Sequence, residues 1–276
     1  MLIQLTILLL STTCAIGNHF ILINSALSDF LVIKGSPTGW RIVNGTDANI
    51  EDFPFIASLR FMDSHSCGAT ILNNNFILTA AHCVYRYPTS LLSLQSGLTT
   101  ISSGFNAPNV ARVSKIMVHE NYTGGGGYYY DVAVVKLDTK LTYGPTVQPV
   151  VLAPAGNATP ENAPATLIGW GLDKSGGSIQ THLQQVNIVV YSDDECEKIH
   201  AQTGPTNRKF NICAGVPEGG KGQCNGDSGG PLLVNGVQVG GVSWSIKPCT
   251  VKGYPGVFSK TATYVDWIYK QVADNS

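Results

Sequence analysis

An all-β fold is predicted by three features of the chain. Apolar and β-branched residues fall in short runs, turn-forming residues separate the runs, and helical spacing of apolar residues is legible only at the C-terminus. The 30 glycines and 14 prolines supply the punctuation. Many short strands of this kind suit a barrel or a sandwich, and the pattern leaves that choice open.

Taken in order, Met1 to Leu10 is apolar but too short to span a bilayer comfortably. With small residues at Ala15 and Gly17, residues 1–17 read as a secretory signal, although the basic n-region is missing. A membrane anchor is the competing reading. Residues 18–41 carry the apolar patch Phe30 to Ile33 and end at Arg41, a residue that a trypsin-like protease could cut after. Beyond it, residues 55–61, 69–72, 113–118 and 186–190 read as strands. So do 232–234 and 237–239, joined by Asn235-Gly236, a strong hairpin turn. The run Val132 to Val135 reads as a buried strand, and Val265, Ile268 and Val272 share one face of a helix over about 264–272. No internal repeat is legible.

Charge excludes some functions. The whole chain carries a net −1; without Lys34, Arg41 and Asp29 the remainder carries −2. No basic stripe points to nucleic acid or to an acidic membrane surface. Of seven cysteines, Cys14 lies in the signal. An even set remains: Cys67, Cys83, Cys196, Cys213, Cys224 and Cys249. In a secreted chain these argue for disulfides of unspecified pairing, and without paired C-x-x-C spacing a zinc site is disfavoured. Sequons stand at Asn44, Asn121 and Asn157, the last weakened by Pro160.

The segment from Gly222 to Pro231 carries the chemistry. Ser228 stands after Asp227 and before two glycines, with Gly226 two residues upstream. A serine hydroxyl needs a base beside it and donors for the oxyanion it creates. Glycine at 226 lets a backbone N–H face substrate unobstructed. His82, in Thr79-Ala80-Ala81-His82-Cys83, is a candidate base, and Asp131 can orient it.

These segments, in the order His, Asp, Ser, resemble the chymotrypsin-like family of serine endopeptidases. Arg41-Ile42-Val43-Asn44-Gly45, Ser243-Trp244-Ser245 and Pro255-Gly256-Val257-Phe258 strengthen the resemblance, which extends from Ile42 to the C-terminus. It implies two six-stranded antiparallel β-barrels with the active site in the cleft between them and a C-terminal helix. The protease domain would span 42–276, with barrel one at about 42–148 and barrel two at about 149–276. The implied reaction is peptide hydrolysis through an acyl-enzyme and requires no cofactor. His82 is base and acid, Asp131 fixes its tautomer, Ser243 supports Asp131, and the N–H groups of Gly226 and Ser228 receive the oxyanion.

The resemblance further implies pairs Cys67–Cys83, Cys196–Cys213 and Cys224–Cys249. It makes residues 18–41 a pro-segment whose removal frees the Ile42 ammonium to pair with Asp227. That pairing raises the amine above its ordinary ~8, so the active conformer fades as pH climbs through the raised value. The family's calcium loop falls at about 95–111, which has no acidic residue here, so no structural calcium is expected. In the specificity pocket, Gly222 is the floor, Ser243, Trp244 and Ser245 form walls, and Gly256 lies at the back. No acid is left to bind Arg or Lys, so a large apolar P1 residue is expected. Ser245 and Gln223 could narrow the pocket toward an elastase-like preference. Tyr128, in the glycine- and tyrosine-rich loop before Asp131, is expected to border subsites upstream of P1.

The implied partners are protein or peptide substrates, an activating trypsin-like protease and protein protease inhibitors, with the enzyme secreted and working as a monomer. A non-catalytic homologue acting as a binding protein is the competing class. The short pro-segment, which has no cysteine to stay tethered after cleavage, favours a digestive or venom-like enzyme over a localised cascade factor.

Overall fold

Ile42, the first residue that the computed structural model describes, is fully buried, and the strands that enclose it are not its neighbours in sequence. The described residues are 42–124 and 129–276; residues 1–41, read from the sequence as a signal and a pro-segment ending at Arg41, lie outside them, as does Tyr128. The described chain is mostly β, as the short apolar runs predict. Strand β1 (Thr46–Asp47) is followed by β2 (Ile56–Phe61), β3 (Ser64–Ile71), β4 (Phe76–Thr79), β5 (Leu92–Ser96), β6 (Val110–Val118) and β7 (Ala133–Leu137). β2 to β7 close into an antiparallel barrel in the order β2-β3-β4-β7-β6-β5. Inward residues such as Leu59, Ile71, Ile77, Leu94 and Val135 fill it. Each fully buried aliphatic side chain contributes about 1.5–3 kcal/mol.

The chain then crosses by β8 (Val151–Leu152) into β9 (Pro164–Gly169), β10 (Gln184–Val190), β11 (Asn211–Gly215), β12 (Pro231–Val234), β13 (Val237–Trp244) and β14 (Gly256–Lys260). Antiparallel pairing runs β9-β10-β11-β14-β13-β12 and returns to β9, a second closed six-stranded barrel. Leu167, Ile188, Ile212, Leu232 and Phe258 form its core. β1 pairs with β10, so the first described residues join the second barrel although they precede the first.

Two helices complete the fold. α1 (Asp193–His200) was not legible as a helix from apolar spacing. It is fixed by a capping box, in which the Ser192 hydroxyl accepts from the Glu195 N–H and the Glu195 carboxylate accepts from the Ser192 N–H. α2 (Thr261–Asp274) follows β14 and presents Tyr264, Val265 and Ile268 to Phe76, Leu78 and Val134 of the first barrel. The helix therefore straps one barrel to the other. Among the described residues no helix is long and apolar enough to cross a membrane.

The barrels touch through very small residues. A Cβ placed on Gly68 of β3 would lie 2.8 Å from the Gly230 Cα, so side chains are excluded there. Beside this contact the Gly68 N–H donates to the Ser228 carbonyl at 2.8 Å, and the buried Thr70 hydroxyl donates to Gln238 Oε1 at 2.9 Å.

Candidate active site

His82 sits on a single 3-10 turn, Ala81–Cys83, that β4 delivers to the barrel junction. Asp131 lies two residues before β7, which pairs with β4, so the register brings the two side chains together. The His82 N–H donates to Asp131 Oδ1 at 2.9 Å, and His82 Nδ1 lies 2.8 Å from Oδ2. Ser243, from the second barrel, donates its hydroxyl to the same Oδ2 at 2.6 Å. The Asp131 backbone carbonyl accepts from the Ser259 hydroxyl at 2.9 Å. With only 5% of Asp131 exposed, its charge is poorly screened. Burial lowers the His82 pKa, but the hydrogen bond and charge of Asp131 outweigh it, and the value is raised overall. Nδ1 thus carries the proton toward the carboxylate, and Nε2 is free to exchange one.

Ser228 comes from the second barrel and meets the His82 turn across the junction. Its carbonyl accepts from Gly68 and lies 3.7 Å from Cys83 Sγ. Cys83 is bonded to Cys67, so one covalent link braces the His82 turn beside the Ser228 backbone. Cys67, His82 and Cys83 have donor atoms within 4.8 Å of one another, but the two sulfurs are bonded together and offer no thiolate to a metal. The other pairs are Cys196–Cys213 and Cys224–Cys249.

Gly226 has φ +95, a conformation that strongly favours glycine. Its carbonyl accepts from His65 Nε2 at 3.0 Å, and His65 Nδ1 accepts from the Ser58 hydroxyl at 2.8 Å. Burial pushes His65 down to about 4, against the opposing hydrogen bond to Gly226, so the ring is neutral and its tautomer fixed. The N–H groups of Gly226 and Ser228 donate to no acceptor among the described residues. Two free donors flank the serine, as an oxyanion would require. Ser58 and His65 escaped the sequence reading. The short spacing Ser58-x6-His65 across the β2–β3 hairpin carries no chemical signature by itself.

Asp227 is fully buried. Its oxygens accept from the Gly171 N–H at 2.8 Å and the Cys224 N–H at 2.9 Å. Burial raises its pKa to about 7; the two backbone donors and the distant Lys247 ammonium pull in the other direction. A Cβ on Gly169 would lie 2.5 Å from Asp227 Oδ1 and 3.9 Å from Ile42 Cδ1, so the carboxylate and Ile42 share one small buried region. The Val43 carbonyl accepts from the Gly222 N–H at 3.3 Å, and Asn44 Nδ2 donates to the Gly220 carbonyl at 2.7 Å. Asn44, one of the three sequon residues, is half-buried and engaged, whereas Asn121 and Asn157 are exposed.

Next to Ser228 opens a pocket of about 160 Å³, with Val242, Ser243, Trp244 and Ser245 on one wall and Lys247 at the rim. Gln223 closes its inner end. The residue is 3% exposed, donates Nε2 to the Trp244 carbonyl at 2.6 Å, and lies 2.8 Å from where a Gly256 Cβ would stand. Gly222 and Gly256 line a separate recess of about 10 Å³ on the far side of Gln223. Lys247 was missed in the sequence, where its role depends on how the chain folds back between Trp244 and Cys249.

The loop after Gln95 is held internally. Gln95 donates Nε2 to the Pro108 carbonyl and accepts from the Ser102 N–H, and the buried Arg60 guanidinium reaches the Asp63 and Gly104 carbonyls at 2.5 and 2.6 Å.

A family model described as Trypsin matches residues 42–268. A protein named "Trypsin" from Saccharopolyspora erythraea is 37% identical over 234 residues, covering 84% of this chain and 98% of that protein. "Trypsin alpha" from Drosophila melanogaster is 38% identical over 229 residues, covering 83% and 86%. "Trypsin-1" from Astacus astacus is 37% identical over 246 residues, covering 82% and 98%.

Proposed function

The chain belongs to the trypsin family of serine proteases, and from that premise we propose a secreted endopeptidase that works through His82, Asp131 and Ser228. One observation carries the reading. The Asp131 carboxylate gathers His82 and Ser243 from opposite barrels while the Ser228 backbone is hydrogen-bonded to Gly68, so two barrels jointly build one site. In this mechanism Ser228 Oγ attacks the scissile carbonyl as His82 Nε2 takes its proton. The oxyanion is received by the Gly226 and Ser228 N–H groups. His82 then protonates the leaving amine, and water repeats the sequence to release the acid.

Activation follows from Asp227. Among the described residues no cation lies within ion-pair distance of this deeply buried carboxyl group, and cleavage after Arg41 would supply one at Ile42. The buried position of Ile42 beside Asp227 supports this reading. The three disulfides fit an extracellular setting.

The P1 preference turns on Gln223. Gly222 and Gly256 alone would leave room for a large apolar side chain. With Gln223 across the pocket a side chain of medium length is favoured, within the elastase-like, small-or-medium alternative that the sequence raises. The test is a P1 cleavage profile on a peptide library with protein clipped at Arg41, with Ser228→Ala as control. Ser228-dependent cleavage after medium side chains is expected. A Phe or Tyr preference would reverse the size assignment, and no cleavage above the control would favour a binding protein.

A further inference from the structure

Lys247 is the charged residue among those lining the 160 Å³ pocket beside Ser228. Its neighbours do not neutralise it. The ammonium lies 3.5 Å from the Ser245 hydroxyl and 3.3 Å from Cys249 Sγ, a disulfide sulfur, and neither group carries charge. Among the described residues no carboxylate comes within ion-pair distance of it. Asp227 acts on it at longer range, and that acid is the one assigned to the Ile42 ammonium after cleavage. A cation that folds toward a pocket and meets no anion there leaves an electrostatic demand for the ligand to fill.

The size of the pocket narrows what that ligand can be. Gln223 closes the inner end, so the tip of a P1 side chain stops near the rim residues instead of passing between Gly222 and Gly256. An aromatic ring would have to displace an amide held by a 2.6 Å hydrogen bond. A lysine or arginine would bring its charge against Lys247, a repulsive discrimination. A carboxylate on a short aliphatic stem meets both limits.

We propose that the pocket selects an acidic P1 residue, glutamate ahead of aspartate, and that Lys247 is the residue that reads its carboxylate. The proposal rests on the endopeptidase reading above and adds the polarity of the substrate to its size. Glutamate leads because its longer stem lets the carboxylate reach across the pocket from the Ser228 side to the Lys247 ammonium at the rim. Lys247 is itself exposed, so the discrimination is moderate and sensitive to salt.

The experiment compares peptides that differ only in P1 Glu or Gln, which match in shape and differ in charge, on protein clipped at Arg41. At low ionic strength kcat/KM for Glu is expected to exceed that for Gln by about tenfold, with the ratio falling as salt screens the pair. Lys247→Met should bring the ratio to about one, Lys247→Arg should restore most of it, and Lys247→Glu should invert it. Titration of active sites with a serine-directed reagent checks that each variant is folded. A Glu-to-Gln ratio near one in the unaltered enzyme, or one that Lys247→Met leaves unchanged, overturns the proposal while leaving the endopeptidase reading intact. If no peptide is cut in a Ser228-dependent way, that reading fails. The proposal is then decided by calorimetric binding of the same peptides to Ser228→Ala protein, where equal affinities would end it.

Discussion

Three donors converge on the Asp131 carboxylate, and they do not act equivalently. The two from His82 set the position and tautomer of the imidazole, whereas Ser243 fixes the carboxylate from the far barrel. Removing the Ser243 hydroxyl deletes one short, charge-assisted bond, so Ser243→Ala should lower kcat by about tenfold. Asp131→Asn, which reverses the imidazole tautomer, should cost about four orders of magnitude. A steady-state comparison of the two variants checks the ranking, and equal losses would contradict it. The pH profile follows from the same contacts. On the proposed mechanism His82 acts as base only when neutral, and Asp131 raises its pKa above the ordinary 6.5 despite burial. Activity should therefore rise through a midpoint above 6.5 on the acid side. A midpoint at or below 6.5 would mean that Asp131 does not dominate.

At the scale of elements, the hairpins and turns do the positioning, and their legibility in the sequence was uneven. The strands around 56–61, 113–118 and 186–190 were visible because apolar residues alternate or cluster between turns, and Asn235-Gly236 marked its hairpin. Helix α1 was hidden because Asp193 to His200 buries only Cys196 and His200, too few residues to impose a period, although Ser192-x-x-Glu195 carried its start signal. Ser192→Ala should destabilise the protein by about 1 kcal/mol in denaturant unfolding without altering kcat. The catalytic candidates were legible because their flanking residues are unusual. His65 and Lys247 were not, since one acts through a carbonyl and the other through chain reversal. The loop closed by Cys67–Cys83 spans a sequence separation of 16, and replacing both cysteines by alanine should cost about 3 kcal/mol. Because that loop carries the His82 turn, turnover at a temperature where the variant is folded should fall as well.

For the whole molecule, Asp227 ties stability to pH. Its carboxyl titrates near 3.8 when exposed and at about 7 when buried in the uncut chain. A folded value raised above the unfolded one contributes stability that is complete below about 4 and is lost as pH rises through 7. The melting temperature of uncut protein should therefore decline over that interval more steeply than that of uncut Asp227→Asn. On the proposed activation, cleavage after Arg41 would supply a cation to the carboxylate, so cut protein should lose less. Parallel melting curves for all three forms across pH 4–8 would remove Asp227 from this role.

The glycine contact between Gly68 and Gly230 has a consequence for how the enzyme would wear out. It leaves no side chain to cushion a change in barrel spacing, and the bond from Gly68 to the Ser228 carbonyl lies in the same seam. Each barrel closes on its own ring of strands, so a slight parting of the halves leaves both rings intact while separating His82 from Ser228. Hydrolysis would then fade on heating before the β-sheet signal changes, and return on cooling, as a hinge loosens before its plates bend.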